Sequence, residues 1–114
     1  MELTSKCANG LSVSAKVDPL VRDFHLGNKL PHISGSIRLL NDSQVAVSFS
    51  TAKLLLSTEG SPLKRAYINS VASQAADFSA IEVQKGQLVE LEVYWPVSLE
   101  VGVTAKSMVM SCAG

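Results

Sequence analysis

Residues 88–95 read Leu-Val-Glu-Leu-Glu-Val-Tyr-Trp and contain the most regular alternation in the chain. Its apolar side chains fall on one side and its two glutamates on the other: Val89, Leu91, Val93 and Trp95 against Glu90 and Glu92. Successive side chains of a β-strand point to opposite faces, so a period of two predicts a strand with one buried and one solvated face. The stretch therefore predicts an antiparallel sheet with one face in water.

The same alternation occurs in two earlier segments. Residues 11–17 and 33–39 each place apolar and polar side chains on opposite faces, which predicts two more half-buried strands. Asn41, Asp42 and Ser43 follow the second segment, and such residues hydrogen-bond their own backbone in turns. We expect Val45 to Phe49 to return as the hairpin partner of strand 33–39.

Further strands are predicted in the second half. Lys53 to Ser57 contains three consecutive leucines, which suits either a strand buried on both faces or the join between two sheets. A weaker strand covers residues 63–68. A second hairpin runs from Phe78–Val83 to Leu88–Trp95 around a four-residue turn, with Gly86 in the positive-φ position.

The last strand changes parity part-way along. Val101, Val103 and Ala105 are expected to point inward, but Met108 and Met110 fall on the opposite parity. A one-residue slip exchanges the two faces of a strand, so we expect a bulge near Lys106–Ser107. Without a bulge both faces are apolar, and a partner should cover one of them.

Two segments lack the period of two. Asp18 and Pro19 form a helix-start signal, Leu20 and Phe24 are four residues apart, and Gly27 suits a helix end. These signals predict a short helix over residues 19–26. Residues 69–77 are compatible with either a loop or one helical turn.

Length and spacing favour one β-rich domain. The chain has 114 residues and a mass of 12.1 kDa, which predicts a single domain, residues 1–114, with one core. About eight short strands are separated by turns too short for helical crossovers. We therefore expect a mainly β protein, an antiparallel β-sandwich with one short helix near residues 19–26.

Residues 33–95 resemble an immunoglobulin-like module. The resemblance rests on Ser-Gly-Ser-Ile-Arg-Leu-Leu-Asn-Asp-Ser, then Leu-Leu-Leu-Ser-Thr-Glu-Gly, then Gln-Lys-Gly-Gln-Leu-Val-Glu-Leu-Glu-Val. In the order of these elements the segment is similar to the water-stress domains of late-embryogenesis proteins. The resemblance implies an interaction or stability module without catalytic residues.

Charge and hydropathy exclude several classes of function. Ten basic and ten acidic residues give a formal net charge of zero, so no long-range positive field attracts nucleic acid or anionic lipid. No stretch has the roughly 20 apolar residues that cross a bilayer. The opening residues Met1 to Cys7 lack the apolar run of a secretory signal, which indicates a cytoplasmic protein, or a secreted or periplasmic one whose signal was removed.

Cys7 and Cys112 lie near opposite ends of the sequence, without the paired spacing of a zinc or redox motif. If the first and last strands are neighbours, these two residues can form a disulfide worth on the order of 4 kcal/mol in the chain-entropy model. The alternative is two buried, reduced thiols, which the missing export signal favours.

The residues suited to chemistry concentrate in the 18–32 connection. Asp23, His25 and His32 have ligand-type side chains, but Asp23 and His25 point in different directions on a helix, so no metal site is predicted. No motif of a hydrolase or of a nucleotide cofactor is present, and we expect no cofactor. Lys64 and Arg65 beside Tyr67 suit either a stacked ligand or an edge strand protected by charge.

Two functional hypotheses follow. The first is a non-catalytic binding or assembly module that pairs with itself, as a homodimer, or with a protein partner through an edge strand or an apolar face. Met108 and Met110 are its candidate interface residues. The second is a small ligand-binding protein or enzyme with a pocket under the 18–32 connection, lined by Asp23, Phe24, His25 and His32.

Overall fold

The computed structural model describes residues 1–23, 30–68 and 80–112. These ranges contain ten β-strands and one short 3-10 helix, Thr51–Lys53. In chain order the strands are β1 (Glu2–Lys6), β2 (Leu11–Val17), β3 (His32–Asn41), β4 (Val47–Phe49), β5 (Leu54–Thr58), β6 (Ser61–Arg65), β7 (Tyr67–Ile68), β8 (Ile81–Val83), β9 (Leu88–Pro96) and β10 (Val109–Cys112).

The strands form antiparallel sheets around one core. The largest sheet has the order β1-β2-β3-β9-β7, a second has the order β10-β5-β6, and β4 pairs with β8. The alternating segments predicted from the sequence are the centre of the large sheet, and their apolar faces point into the core. The fold is mainly β and sandwich-like, as the sequence predicts.

Trp95 joins the large sheet to the three-stranded sheet. Its side chain is fully buried, and its Nε1–H donates to the Leu54 carbonyl at 3.2 Å. Gly35 makes this packing possible, because a Cβ there would lie 3.1 Å from the Trp95 ring and 3.1 Å from the Lys16 carbonyl oxygen. The ring therefore fills space that only a glycine on β3 leaves open.

The chain changes sheets at Ala66. The segment predicted as one weak strand, residues 63–68, is divided there: β6 pairs with β5, whereas β7 pairs with β9. Ala66 is fully buried, and its N–H donates to the Leu54 carbonyl at 3.0 Å. On β5, Leu54 and Leu56 are buried while Leu55 is half-buried, so the triple leucine belongs to the central strand of a small sheet.

The predicted hairpin partners are wrong. Strand β4 pairs with β8, and β3 pairs with β2 and β9. The turn at residues 84–87 does form, with Gly86 at φ 72°, but it connects β8 and β9, which belong to different sheets. Alternation determines which face of a strand is buried, but it does not determine which strand lies beside it in the sheet.

The predicted helix over residues 19–26 is wrong in its described part, residues 19–23. The Leu20 N–H donates to Asp18 Oδ1 at 3.0 Å, as at a helix start. The chain then stays extended, with isolated bridges from Leu20 to Thr104 and from Arg22 to His32. Backbone pairing to distant segments replaces the bonds of a helix. Residues 24–26 and the segment 69–77 lie outside the described residues.

The single C-terminal strand predicted from Val101 onward does not form: residues 101–105 contain only a single bridge at Thr104, and the backbone irregularity lies before β10. Ser107 has a φ of 54°, in the left-handed region, and β10 begins two residues later. This conformation turns Met108 and Met110 into the core, where they are 6% and 5% exposed. The interface predicted at these methionines is therefore not available to a partner. Val101 and Val103, expected inside, are 49% and 41% exposed.

Cys7 and Cys112 form a disulfide, with their Cα atoms 5.2 Å apart. Cys7 follows β1 at the edge of the large sheet, and Cys112 ends β10 at the edge of the three-stranded sheet. The Cys112 N–H also donates to the Ser5 hydroxyl at 3.1 Å. The bond links residues 105 apart, a loop worth about 4.7 kcal/mol in the chain-entropy model. It replaces the reduced thiols that the sequence favoured.

Candidate functional site

The 18–32 connection begins at an ionic and hydrogen-bonded turn. Asp18 accepts from the Leu20 N–H and from Arg22 Nε, both at 3.0 Å. The bond from Leu20, followed by the bond and charge of Arg22, lowers the pKa of the Asp18 carboxyl below its usual value, although partial burial opposes the shift. Asp18 is therefore ionised at neutral pH and holds the start of the connection.

Of the predicted pocket residues, Asp23 and His32 lie in the described part of the chain, where Asp23 follows Arg22, the residue that pairs with His32. Asp23 is exposed, whereas His32 is 6% exposed. Phe24 and His25 lie outside the described residues. Residues 1–23, 30–68 and 80–112 contain no group of three His, Cys, Asp or Glu side chains that suits a metal ion.

His32 begins an aromatic cluster on the outer side of the large sheet. Its ring lies edge-on to Tyr94, 5.9 Å between centroids, and Tyr94 stacks on Tyr67 at 5.5 Å and 19°. The Arg65 guanidinium lies 4.2 Å above the Tyr67 ring. These groups stabilise one another by stacking and cation–π contact, and they join the edge strands β6 and β7.

Sequence reasoning identified the pair Arg65 and Tyr67 and missed Tyr94 as their neighbour. The directly opposed pairing of Tyr67 with Tyr94 depends on the register of β7 against β9. That register follows the change of sheets at Ala66, for which the sequence contains no local signal. Trp95, next to Tyr94, points inward, as the alternation of β9 predicts.

The solvent face of the large sheet carries ordered rows of side chains, two of them polar and the third half apolar. Each row crosses β1, β2, β3 and β9 in turn. The rows are Glu2, Lys16, Ser36 and Glu92; then Thr4, Ser14, Arg38 and Glu90; then Lys6, Ser12, Leu40 and Leu88.

Arg38 and Glu90 form the central ion pair of this face. Both Nε and an Nη of Arg38 donate to Glu90 Oε1, at 3.1 and 2.9 Å. The two side chains are 59% and 57% exposed, so the pair adds little to stability. Its effect is to hold two long side chains in place between two shallow grooves.

The two grooves lie on either side of this row and differ in character. The first, about 410 Å³, is lined by charged and hydroxyl groups such as Glu2, Lys16 and Ser36. The second, about 510 Å³, contains Leu40 and Leu88 opposite each other on β3 and β9. These leucines are 38% and 50% exposed. The second groove is therefore an apolar corner on an otherwise polar sheet.

The apolar corner was missed at the sequence level, although a signal for it exists. When the alternation of residues 33–39 is continued by one residue, Leu40 occupies a solvent-facing position, as Leu88 does in residues 88–95. An apolar residue on the polar parity is the informative exception on such a strand. Only the register of β3 against β9 shows that two such exceptions are neighbours.

Comparison with solved structures relates the chain to one secreted protein. The chain is similar to the crystal structure of MPT63, a secreted protein from Mycobacterium tuberculosis, with a TM-score of 0.51 and 10% sequence identity. The match covers 96% of this chain and 91% of the MPT63 chain. The two proteins share a fold. At this identity the likeness extends to the fold alone.

No family model matches the sequence, and a search of the curated proteins finds no match. The resemblance to immunoglobulin-like, water-stress domains is therefore not confirmed beyond a β-sandwich-like architecture. Among the residues that the structure describes, no helix is long and apolar enough to cross a membrane.

Proposed function

We propose that the chain is a non-catalytic binding module that holds a protein partner or a second copy on the solvent face of its five-stranded sheet. The observation that carries this proposal is the exposed pair Leu40 and Leu88, set in a groove of that face. An apolar centre surrounded by polar and charged side chains is the usual arrangement of a protein interface. Here the surrounding side chains are Lys6, Ser12 and Arg38.

The compartment is part of the proposal. Disulfides persist in oxidising compartments and are rare in the cytosol. The bond between Cys7 and Cys112 therefore supports a secreted or periplasmic location, in place of the cytoplasmic one predicted from the opening residues. The fold shared with a secreted protein agrees with this location.

A small apolar solvent tests whether the groove is a binding surface. We expect isopropanol, titrated into a dilute solution of the labelled protein, to shift the amide and methyl signals of Leu40 and Leu88 more than those of other exposed apolar residues. The reason is that a preformed apolar groove gains more from a small apolar ligand than an isolated side chain does. The measurement is a two-dimensional NMR titration.

Two matched variants complete this experiment. Leu88→Ser removes half of the apolar pair, and Leu63→Ser makes the same change on β6, where Leu63 has a similar exposure of 58%. The shifts at Leu40 should disappear in the first variant and persist in the second. Shifts that converge on another region, or that spread evenly over all exposed apolar residues, would contradict the proposal.

A further inference from the structure

The charges on the solvent face of the large sheet are arranged asymmetrically about its middle strand. Strand β3 lies at the centre, with β2 on one side and β9 on the other. On β2 the outward charge is Lys16, and on β9 the outward charges are Glu90 and Glu92. Lys16 and Glu92 both flank Ser36, in the same row. Positive and negative charges therefore face outward at matched positions on opposite sides of β3.

A face of this kind is complementary to a copy of itself. A two-fold axis that runs along β3, between two sheets packed face to face, places β2 of one molecule over β9 of the other. Each Lys16 then meets Glu92 of the second copy, and the contact occurs twice. The same operation places the two Leu40 side chains near the axis, with Leu88 of each copy beside Ser12 of the other.

We propose that two copies of this chain associate through their five-stranded sheets, with the two-fold axis along β3 and with Lys16 paired to Glu92 across the interface. The inference rests on the proposed function, because it names the occupant of the same face. Arg38 lies on the axis, where its charge is already neutralised by Glu90 of its own chain. Glu2 and Lys6, on β1, lie at the margin of the face, because β7 pairs with β9 only at Tyr94 and Val93, beyond these rows.

Other macromolecules fit this face less well. The outward charges of the rows balance, three positive against three negative (Lys6, Lys16 and Arg38 against Glu2, Glu90 and Glu92), so a polyanion gains no net attraction. The middle strand β3 is paired on both sides, so an extended peptide cannot add to its backbone. Aligned packing of two sheets at about −30° is a common arrangement for such faces.

The size of the face indicates a weak dimer. Across the three rows the face is four strands wide, since β7 is two residues long and pairs with β9 beyond them. Four strands about 4.8 Å apart and about seven residues of about 3.4 Å give a face of roughly 19 by 24 Å. Counted over both copies this is about 900 Å², in the range of weak, transient interfaces. We therefore expect a reversible equilibrium that depends on protein concentration and weakens as salt is added.

Charge exchange within one chain tests the arrangement. The variant Lys16→Glu sets two carboxylates against each other twice per dimer, and the variant Glu92→Lys does the same with two ammonium groups. Each single variant should weaken the dimer by roughly ten- to thirty-fold, as expected for two exposed pairs turned repulsive. The double variant, Lys16→Glu with Glu92→Lys, should associate as the native chain does, because the pairing is restored with its signs exchanged.

The measurement is sedimentation equilibrium at several protein concentrations and two salt concentrations. Lys53→Glu, which makes the same charge change at an exposed residue of the 3-10 helix, is the control and should not alter association. A native chain that stays monomeric overturns the inference, as does a double variant that associates no better than the single ones. If the chain is monomeric but isopropanol still shifts the signals of Leu40 and Leu88 most, self-association is refuted and the proposed binding face is supported.

Discussion

The carboxylate of Asp18 is held by two donors on its own segment, the Leu20 N–H and the Arg22 side chain. The pKa of Asp18 is lower in the folded chain than in the unfolded one. Such a group stabilises the fold above its unfolded pKa of about 3.9, and this stabilisation is lost as the pH falls through the lower, folded value. The Asp18 side chain is 41% exposed, so the contribution is small.

The substitution Asp18→Asn tests the contribution of the Asp18 charge separately from that of its hydrogen bond to the Leu20 N–H. An asparagine keeps an oxygen acceptor for the Leu20 N–H but loses the ion pair with Arg22. At neutral pH the variant should be less stable than the native chain by about 0.5 kcal/mol. Below the folded pKa of Asp18 the two proteins should be equally stable, because both side chains are then uncharged. Urea unfolding at neutral and at strongly acidic pH measures the difference, and a gap that persists in acid would show that charge is not its cause.

At the same scale, local signals in the sequence were correct but incomplete. Asp18 and Pro19 match a helix start, and the side-chain bond to the Leu20 N–H does form. The helix does not follow in residues 19–23, because the Arg22 backbone pairs with His32 and the Val21 N–H bonds to the Val103 carbonyl. These partners are distant in sequence, so no local pattern could predict them.

At the scale of elements, Asn41 connects β3 to the β4–β8 pair. It is 1% exposed, and its side-chain Nδ2 donates to the carbonyls of Val45 and Val83 at 2.7 and 2.9 Å. Its Oδ1 accepts from the N–H and the hydroxyl of Ser43. The sequence identified this residue as part of a turn, but its contact with β8 depends on a pairing that the sequence did not predict.

Asn41→Ala should destabilise the fold by about 2 kcal/mol, because it removes the side-chain donor to the carbonyl of the buried Val83 and the acceptor for Ser43. Ser48→Ala, at an exposed position on β4, serves as the control and should change the free energy of unfolding by less than about 0.5 kcal/mol. Equilibrium urea denaturation measures both. Equal effects of the two variants would mean that the Asn41 side chain does not support the β4–β8 pair.

Strand faces were predictable from the sequence, and strand neighbours were not. The alternation in β2, β3 and β9 identified their buried side chains correctly. The partner predicted for β4 was wrong, because consecutive strands of this chain belong to different sheets. The apolar corner followed the same rule: Leu40 and Leu88 are recognisable as outward residues, but only the register makes them neighbours.

At the scale of the whole molecule, the disulfide closes one side of the sandwich. It joins the edge strand β1 to the edge strand β10, next to the Ser5 contact. The opposite edges carry Pro62, Lys64 and the Arg65–Tyr67 contact, features that discourage the addition of another strand. The edges of these two sheets are therefore less suitable docking elements than the sequence suggested, and the open face of the large sheet is the surface that we propose.

The central claim is that this open face is the surface through which the chain associates. Methyl NMR spectra recorded over a range of protein concentrations test it directly. We predict that the Leu40 and Leu88 methyl signals shift with concentration and return when salt is added, while those of Leu63 and Val109, exposed at 58% and 59%, stay constant. Constant signals at Leu40 and Leu88, or larger shifts at Leu63 and Val109, would contradict it.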